Sequence, residues 1–247
     1  MNKLIQIKRR FCGPPESGNG GYVCGLLGEA LRQTAQHDSI HAATVRLFLP
    51  PPLQQDLTLQ VENGRAQLLA DEQLVAQGWA DVLDLECPPP PSFDQAQAAA
   101  QHCSGFTQHP FPGCFVCGPD RHEGDGLRIF PGPLPETTAV AAPWMADASL
   151  EGERSGLVDP VFIWAALDCT SAFPMLPAGE GKALVLGQMS VRIDGDVRVG
   201  EPCVMLGWPL ARDGKKHIAA SAVIGENGAV IAVAKATWIE VPAARFQ

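Results

Sequence analysis

Residues 19–30 read Asn-Gly-Gly-Tyr-Val-Cys-Gly-Leu-Leu-Gly-Glu-Ala, and the fold predicted for this chain is built outward from them. Apolar residues recur in this stretch at helical spacing, so we predict a helix over residues 22–36. The preceding segment, GPPESGNGG at 13–21, is rich in glycine and proline, which favours a loop that leads into the helix. The first half of the chain therefore begins with a loop and one long helix.

Short runs with strand character follow this helix. Turn signals such as Asn63–Gly64 separate them, which is typical of antiparallel hairpins. The predicted strands of the first half are 42–49, 57–61, 65–70 and 74–83.

The second half repeats this plan. Residues 158–173 predict a helix, with Pro160 near its first turn, where proline is tolerated. The predicted strands of this half are 124–130, 137–144, 183–193, 203–210, 217–224 and 229–241. Residues 87–108 contain CPPPPS and the alanine-rich DQAQAAAQ, which favours a short helix, and we interpret them as a connector.

The two halves align with each other. Residues 44–47 match 190–193, and residues 74–76 match 230–232, with a drift that short loop insertions explain. In the two helices, Gly28 aligns with Asp168 and Gly20 aligns with Pro160. The chain is therefore predicted to be an α+β protein with a repeat at 1–86, a linker at 87–108 and a second repeat at 109–247.

Composition limits the classes of function. The net charge of −9 disfavours nucleic-acid binding, because phosphate backbones are repelled by an acidic surface. No run approaches the roughly 18 apolar residues that a membrane span needs. No apolar stretch of about 7–15 residues follows the basic start, so we expect no secretory signal and a cytoplasmic location. The eight cysteines are scattered, which favours reduced, buried thiols over a disulfide framework.

The stretch at 19–30 resembles the helix-start motif of hotdog-fold thioesterases, which runs roughly His-Gly-Gly, five or six apolar residues and then Asp-Glu-Ala. Residues 164–169, WAALDC, resemble the later part of that motif. Residues 114–119, CFVCGP, and 126–129, GLRI, resemble a segment that precedes the helix in many such proteins. Together these motifs are similar to a double-hotdog acyl-CoA thioesterase, in which each repeat is a long helix wrapped by an antiparallel sheet.

The resemblance implies a mechanism. An amide at the start of a helix polarises the thioester carbonyl, and a carboxylate on the partner helix activates water or attacks the carbonyl. The first helix keeps Gly20 and Gly21 but has Gly28 in the acid position. The second helix keeps Asp168 but has Pro160, which has no N–H. We therefore expect one composite site, made of Asp168 with Gly20 and Gly21, and no cofactor.

Substrate-binding residues are also implied by the resemblance. The acyl chain of an acyl-CoA or similar thioester is expected to lie between the two helices. The residues expected to contact substrate are Asn19, Tyr22, Phe162, Trp164 and Thr170. Double-hotdog thioesterases use an Asp with a Thr and a Gln. Thr237 and Gln188 lie on predicted strands, but the sequence does not place them beside Asp168.

Several alternatives remain open. Cysteine and histidine residues are concentrated at 102–122, including the pair Cys114 and Cys117, which is a zinc-ligand pattern. A second such pair and a regular histidine spacing are both lacking, so we expect no metal. A non-catalytic acyl-CoA or lipid-binding protein would have the same fold, and a hydratase or dehydratase would need an Asp/His pair. A homodimer is also compatible with the sequence, which does not fix the stoichiometry.

Overall fold

The computed structural model describes residues 2–34 and 41–246. Its centre is one antiparallel sheet of eleven strands, with the order β1-β3-β4-β5-β2-β8-β11-β10-β9-β7-β6. In the first half the strands are β1 (Asn2–Gln6), β2 (Ala42–Leu47), β3 (Asp56–Glu62), β4 (Arg65–Ala70) and β5 (Gln73–Asp81). In the second half they are β6 (Gly132–Pro133), β7 (Val140–Met145), β8 (Lys182–Ile193), β9 (Pro202–Asp213), β10 (Lys216–Ile224) and β11 (Val230–Pro242).

Three α-helices accompany the sheet in the described residues: α1 (Gly20–Thr34), α2 (Phe93–Ala100) and α3 (Pro160–Ala172). Helices α1 and α3 pack on each other and on the sheet. Helix α3 is buried along nearly its whole length, and this explains why its sequence is apolar all round. None of the helices in the described ranges is long and apolar enough to cross a membrane.

The two halves join where β2 pairs antiparallel with β8. Thr44 lies opposite Ser190 in this register, and their hydroxyl oxygens are 2.6 Å apart. These two residues occupy matching positions in the two halves of the sequence. One continuous sheet therefore joins the halves, and neither half leaves a free strand edge at this seam.

Hydrogen bonds fix α3 on the sheet. The Ser221 hydroxyl donates to the Leu167 carbonyl (2.7 Å), and the Trp238 indole N–H donates to the Ser171 hydroxyl (2.9 Å). The Ser171 hydroxyl in turn donates to the carbonyl of Asp168 (2.7 Å). The turn of α3 that carries Asp168 is thus fixed by buried polar contacts as well as by packing.

Most of the predicted elements are present, but one predicted strand is wrong. Residues 124–130 form no strand, because Arg128 has a φ of 53° and breaks the extended backbone. Leu127 and Ile129 donate instead to the carbonyls of Phe115 and Val116. The sequence did not predict β1 or β6. The connector contains the expected short helix, α2, which packs against β7.

Candidate active site

Asp168 lies in α3 at the point where that helix meets the first turn of α1. Its side chain is buried, with 2% of the residue exposed. One carboxylate oxygen, Oδ2, accepts hydrogen bonds from the Gly21 amide (2.9 Å) and from the Asn19 side-chain amide (3.0 Å). The structure therefore brings together Asp168, Asn19 and the glycine pair.

Glycines in α1 allow this close approach. A Cβ on Gly21 would overlap the Asp168 side chain and lie 2.8 Å from the Trp164 carbonyl oxygen. One turn later, a Cβ on Gly25 would lie 3.0 Å from the Cα of Val161. Without side chains at these positions, the amide of Gly21 can reach the carboxylate directly.

Asn19 links the cap of α1 to the acid. Its Oδ1 accepts from the Tyr22 amide (2.9 Å), as an N-cap side chain does. This contact fixes which end of the amide is the oxygen, so Nδ2 is the atom that donates to Asp168. Asn19 therefore connects the first turn of α1 to the Asp168 carboxylate.

The second carboxylate oxygen of Asp168, Oδ1, is buried and has no hydrogen-bond partner in the part of the chain that the structure describes. Burial raises the pKa of Asp168 to about 7, against the opposing effect of the hydrogen bond from Gly21. The side chain thus has one oxygen that accepts two hydrogen bonds and one buried oxygen without a partner in the described residues. A carboxyl group of this kind suits proton transfer near neutral pH.

A cavity of about 550 Å³ lies beside this carboxyl group. Asp168, Asn19 and Gly20 contribute polar groups to its wall, as do Ser17, His109 and Arg245. Much of the rest of its wall is apolar, contributed by residues such as Leu47, Leu184, Leu186, Ala172, Phe173 and Trp238. The Gly20 amide has no hydrogen-bond partner among residues 2–34 and 41–246, and it belongs to the positive end of α1.

The amides of Gly20 and Gly21 differ in their hydrogen bonding. The Gly21 amide donates to the Asp168 carboxylate. It is therefore not available in this structure as the oxyanion donor that the sequence predicted. The Gly20 amide is the unpaired one. Sequence spacing alone does not distinguish two adjacent amides, because both belong to the unsatisfied first turn of a helix.

Four expected substrate contacts lie elsewhere. Tyr22 stacks on Phe11 with ring centroids 4.2 Å apart, and Phe162 packs against the same ring. Trp164 is buried between the two helices, and the Thr170 hydroxyl donates to a backbone carbonyl within α3 (2.8 Å). None of the four lines the cavity.

The expected route of the acyl chain between the helices is not preformed along the glycine face of α1. The helices are in direct contact along the glycine face of α1, so no groove separates them there. Gly28 occupies the position in α1 that aligns with Asp168 in α3. The Trp164 ring fills the space beside it, since a Cβ on Gly28 would overlap that ring. Glu29 beside it is buried, and its carboxylate pairs with Arg32 at 2.8 Å.

Thr237 and Gln188 are register partners on β11 and β8, but neither lines the cavity. The cavity wall that includes Asp168 therefore includes neither of these two residues.

Sequence reasoning missed the thiols at this site. Cys114, Cys117 and Cys169 line the same cavity, together with His109. Hydrogen bonds from the thiols of Cys117 and Cys169 hold the pKa of Cys114 well below its usual value. The CFVC motif was visible in the sequence, but only the fold shows that the cysteine after Asp168 lies beside it.

Comparison with solved structures identifies the fold. A tesB protein of Mycobacterium avium subspecies paratuberculosis superposes with a TM-score of 0.64 at 12% identity, covering 98% of this chain and 93% of that one. An acyl-CoA thioesterase II of Mycobacterium marinum gives a TM-score of 0.58 at 10% identity, covering 98% and 93%. No family model and no curated protein matches the sequence. The resemblance to hotdog-fold thioesterases is confirmed at the level of the fold.

Proposed function

We propose that this protein hydrolyses an acyl-CoA thioester. The observation that carries the proposal is the buried Asp168 carboxyl group in the wall of a largely apolar cavity. One of its oxygens accepts from Gly21 and Asn19, and the other has no partner among the described residues. An apolar cavity with a few convergent polar groups is typical of a small-molecule site. The fold shared with thioesterases gives the reaction class.

In the proposed reaction, Oδ1 of Asp168 removes a proton from a water molecule as the water oxygen attacks the thioester carbonyl carbon. The carbonyl oxygen becomes negative and accepts a hydrogen bond from the Gly20 amide at the start of α1. The tetrahedral intermediate then collapses, the carbon–sulfur bond breaks, and Asp168 returns its proton to the leaving thiolate. The products are a carboxylic acid and the free thiol of coenzyme A.

We further propose that the chain is a tandem double hotdog. This is supported by contacts that repeat between matching positions: Gly21 lies against Ala165, and Gly25 lies against Val161. A Cβ on either glycine would lie 3.0 Å from the Cα of the residue opposite. The two related sites differ in chemistry. One has Asp168 with the Gly20 amide, whereas the other has Gly28 under Trp164 and no amide hydrogen at residue 160.

The phosphates of coenzyme A have a candidate contact surface. A second depression shares Gly13 and Phe111 with the cavity and includes Arg9, Arg10 and Arg121. Arg9 is the most available of these, because its side chain is 59% exposed and its partner Glu16 is also at the surface. An exposed ion pair of this kind contributes little, so Arg9 can exchange its partner for a phosphate.

A hydratase or dehydratase is disfavoured by the state of His109. His109 lies in the wall of the cavity, where the sequence predicted no histidine, but both ring nitrogens are engaged. Nδ1 accepts from the Phe111 amide (3.0 Å) and Nε2 lies 3.3 Å from the Cys117 sulfur. A non-catalytic acyl-CoA-binding protein is the second candidate, favoured by the absence of Thr237 and Gln188 from the cavity wall.

The direct test is a panel of acyl-CoAs with short, long and aromatic acyl groups, with release of the free thiol followed by a colorimetric reagent. We expect turnover of at least one acyl class, since much of the cavity wall is apolar, as the site for an acyl group requires. Calorimetry on the same panel distinguishes the candidates. Binding of acyl-CoA without turnover supports the binding protein and rejects the hydrolase.

Two variants of Asn19 separate its two contacts. Asn19→Asp keeps an oxygen that caps α1 but replaces the donor to Asp168 with a second carboxylate, so we expect turnover to fall about tenfold or more with a smaller change in melting temperature. Asn19→Ala removes both contacts and is expected to lower the free energy of unfolding by about 1 kcal/mol as well. Equal turnover in Asn19→Asp and wild type contradicts a role for Asn19 in positioning Asp168.

A further inference from the structure

Three cysteine side chains meet in the wall of the cavity. Cys114 and Cys117 belong to the loop before residue 118, and Cys169 belongs to α3. Their sulfur atoms all lie within 4.8 Å of one another, and those of Cys114 and Cys169 are 3.7 Å apart. All three residues are buried, with at most 6% of each exposed.

The loop is built to present its thiols in this way. The Gly118 amide donates to the Cys114 carbonyl (2.9 Å), so the chain folds back on itself after the CFVC segment. It turns sharply at Gly118, where a Cβ would lie 2.5 Å from the Cys114 carbonyl oxygen and 2.6 Å from its nitrogen. The sulfurs of Cys114 and Cys117 lie within 4.8 Å of each other as a result, and thiolates are the form of cysteine that binds metals.

His109 completes the surroundings of the thiols as a donor. Its Nδ1 accepts a hydrogen bond from the Phe111 amide, so the ring proton is on Nε2. Nε2 lies 3.3 Å from the Cys117 sulfur. This N–H group is placed to donate to the Cys117 sulfur. Hydrogen bonds of this kind from outside the ligand shell orient metal ligands in proteins.

We infer that Cys114, Cys117 and Cys169 bind a single Zn²⁺ ion through their sulfur atoms, with a water molecule from the cavity as the fourth ligand. A tetrahedral zinc ion with sulfur ligands at about 2.3 Å separates its sulfurs by about 3.8 Å, close to the spacing of Cys114 and Cys169. Binding releases the protons of the thiols that are not already ionised. This site does not depend on the proposed hydrolase activity.

The metal ties two distant parts of the chain together. It joins the loop that carries Cys114 to the helix that carries Asp168, with Cys169 as the link. Because the loop forms one wall of the cavity, we expect the ion to hold that wall in place. Three protein ligands and an exchangeable fourth position also correspond to the coordination of zinc sites that bind small molecules.

Metal content tests the inference directly. The full chain, purified without chelators and then dialysed against excess ZnCl₂, is expected to retain a single zinc ion per chain by elemental mass spectrometry. Replacement by Co²⁺ is expected to give the intense visible absorption of tetrahedral cobalt with sulfur–metal charge-transfer bands. A protein that retains no zinc, or that retains iron or copper instead, overturns the inference.

Matched variants locate the ion. Cys169→Ser is expected to lose zinc, whereas Cys203→Ser, which alters another buried cysteine on β9, is expected to retain it. His109→Ala is expected to keep the cobalt spectrum and bind zinc about 10- to 100-fold more weakly, as for the loss of an outer hydrogen bond. If a variant does not fold, non-reducing peptide mass spectrometry on the wild type still tests the three thiols. A disulfide mapped between any two of Cys114, Cys117 and Cys169 rejects the zinc site.

Discussion

Replacement of Asp168 by asparagine is expected to lower the turnover of acyl-CoA by about 10²- to 10⁴-fold, the range for loss of a general base. Asparagine has the same shape, and its side-chain oxygen can still accept from Gly21 and Asn19. It has no basic oxygen at the position of Oδ1, so it cannot take a proton from water. The loss is expected in kcat, with little change in the binding of acyl-CoA measured by calorimetry.

Stability measurements show whether the loss of turnover in Asp168→Asn comes from the missing base or from a disturbed fold. Asp168→Asn removes a buried ionisable group whose free oxygen lacks a partner in the described residues, so the melting temperature is expected to stay the same or to rise. Asp159→Asn makes the same change at the cap of α3, away from the cavity, and is expected to keep full turnover. Undiminished turnover in Asp168→Asn rejects Asp168 as the base but leaves the enzyme class standing.

The sequence predicts the main elements because their signals are local. Helical periodicity and the glycine-rich approach identify α1, and turn pairs such as Asn63–Gly64 separate the strands. The alignment of residues 44–47 with 190–193 identifies corresponding strands of the two halves, and these strands, β2 and β8, are the ones that pair at the seam. Local signals fail at 124–130, where an apolar run looks like a strand but Arg128 has a left-handed backbone.

The site itself is only partly predictable, because it depends on contacts between distant residues. Motif spacing finds Asp168 and the glycine pair, but not which amide Asp168 occupies. Helix periodicity places Tyr22 and Phe162 on a face of their helices, yet it cannot show that this face packs on Phe11. Likewise, the Cys114–Cys117 pair predicts a metal site only when Cys169 is known to lie beside it.

Replacement of Gly21 by alanine is expected to damage both stability and catalysis. The new Cβ would overlap the Asp168 side chain and lie 2.8 Å from the Trp164 carbonyl oxygen and 3.0 Å from the Ala165 Cα. These neighbours are backbone atoms or a Cβ, so α1 and α3 must move apart. Overpacking costs about 1–3 kcal/mol, against roughly 0.5–1 kcal/mol gained by replacing a helical glycine. We expect the free energy of unfolding to fall by about 1–2 kcal/mol.

The catalytic consequence follows from the same displacement. Separation of the helices moves Asp168 away from the Gly20 amide, and an error of about 1 Å in the position of a catalytic group can cost about 10²-fold in rate. Gly195→Ala is the matched control, because its added Cβ would lie 3.7 Å from Ile231 in an ordinary contact and this exposed residue lines neither the cavity nor the arginine depression. Urea unfolding and turnover are measured on both variants. Since the close approach of α1 to α3 is what builds the site, a Gly21→Ala protein with wild-type stability and turnover contradicts this arrangement of the helices.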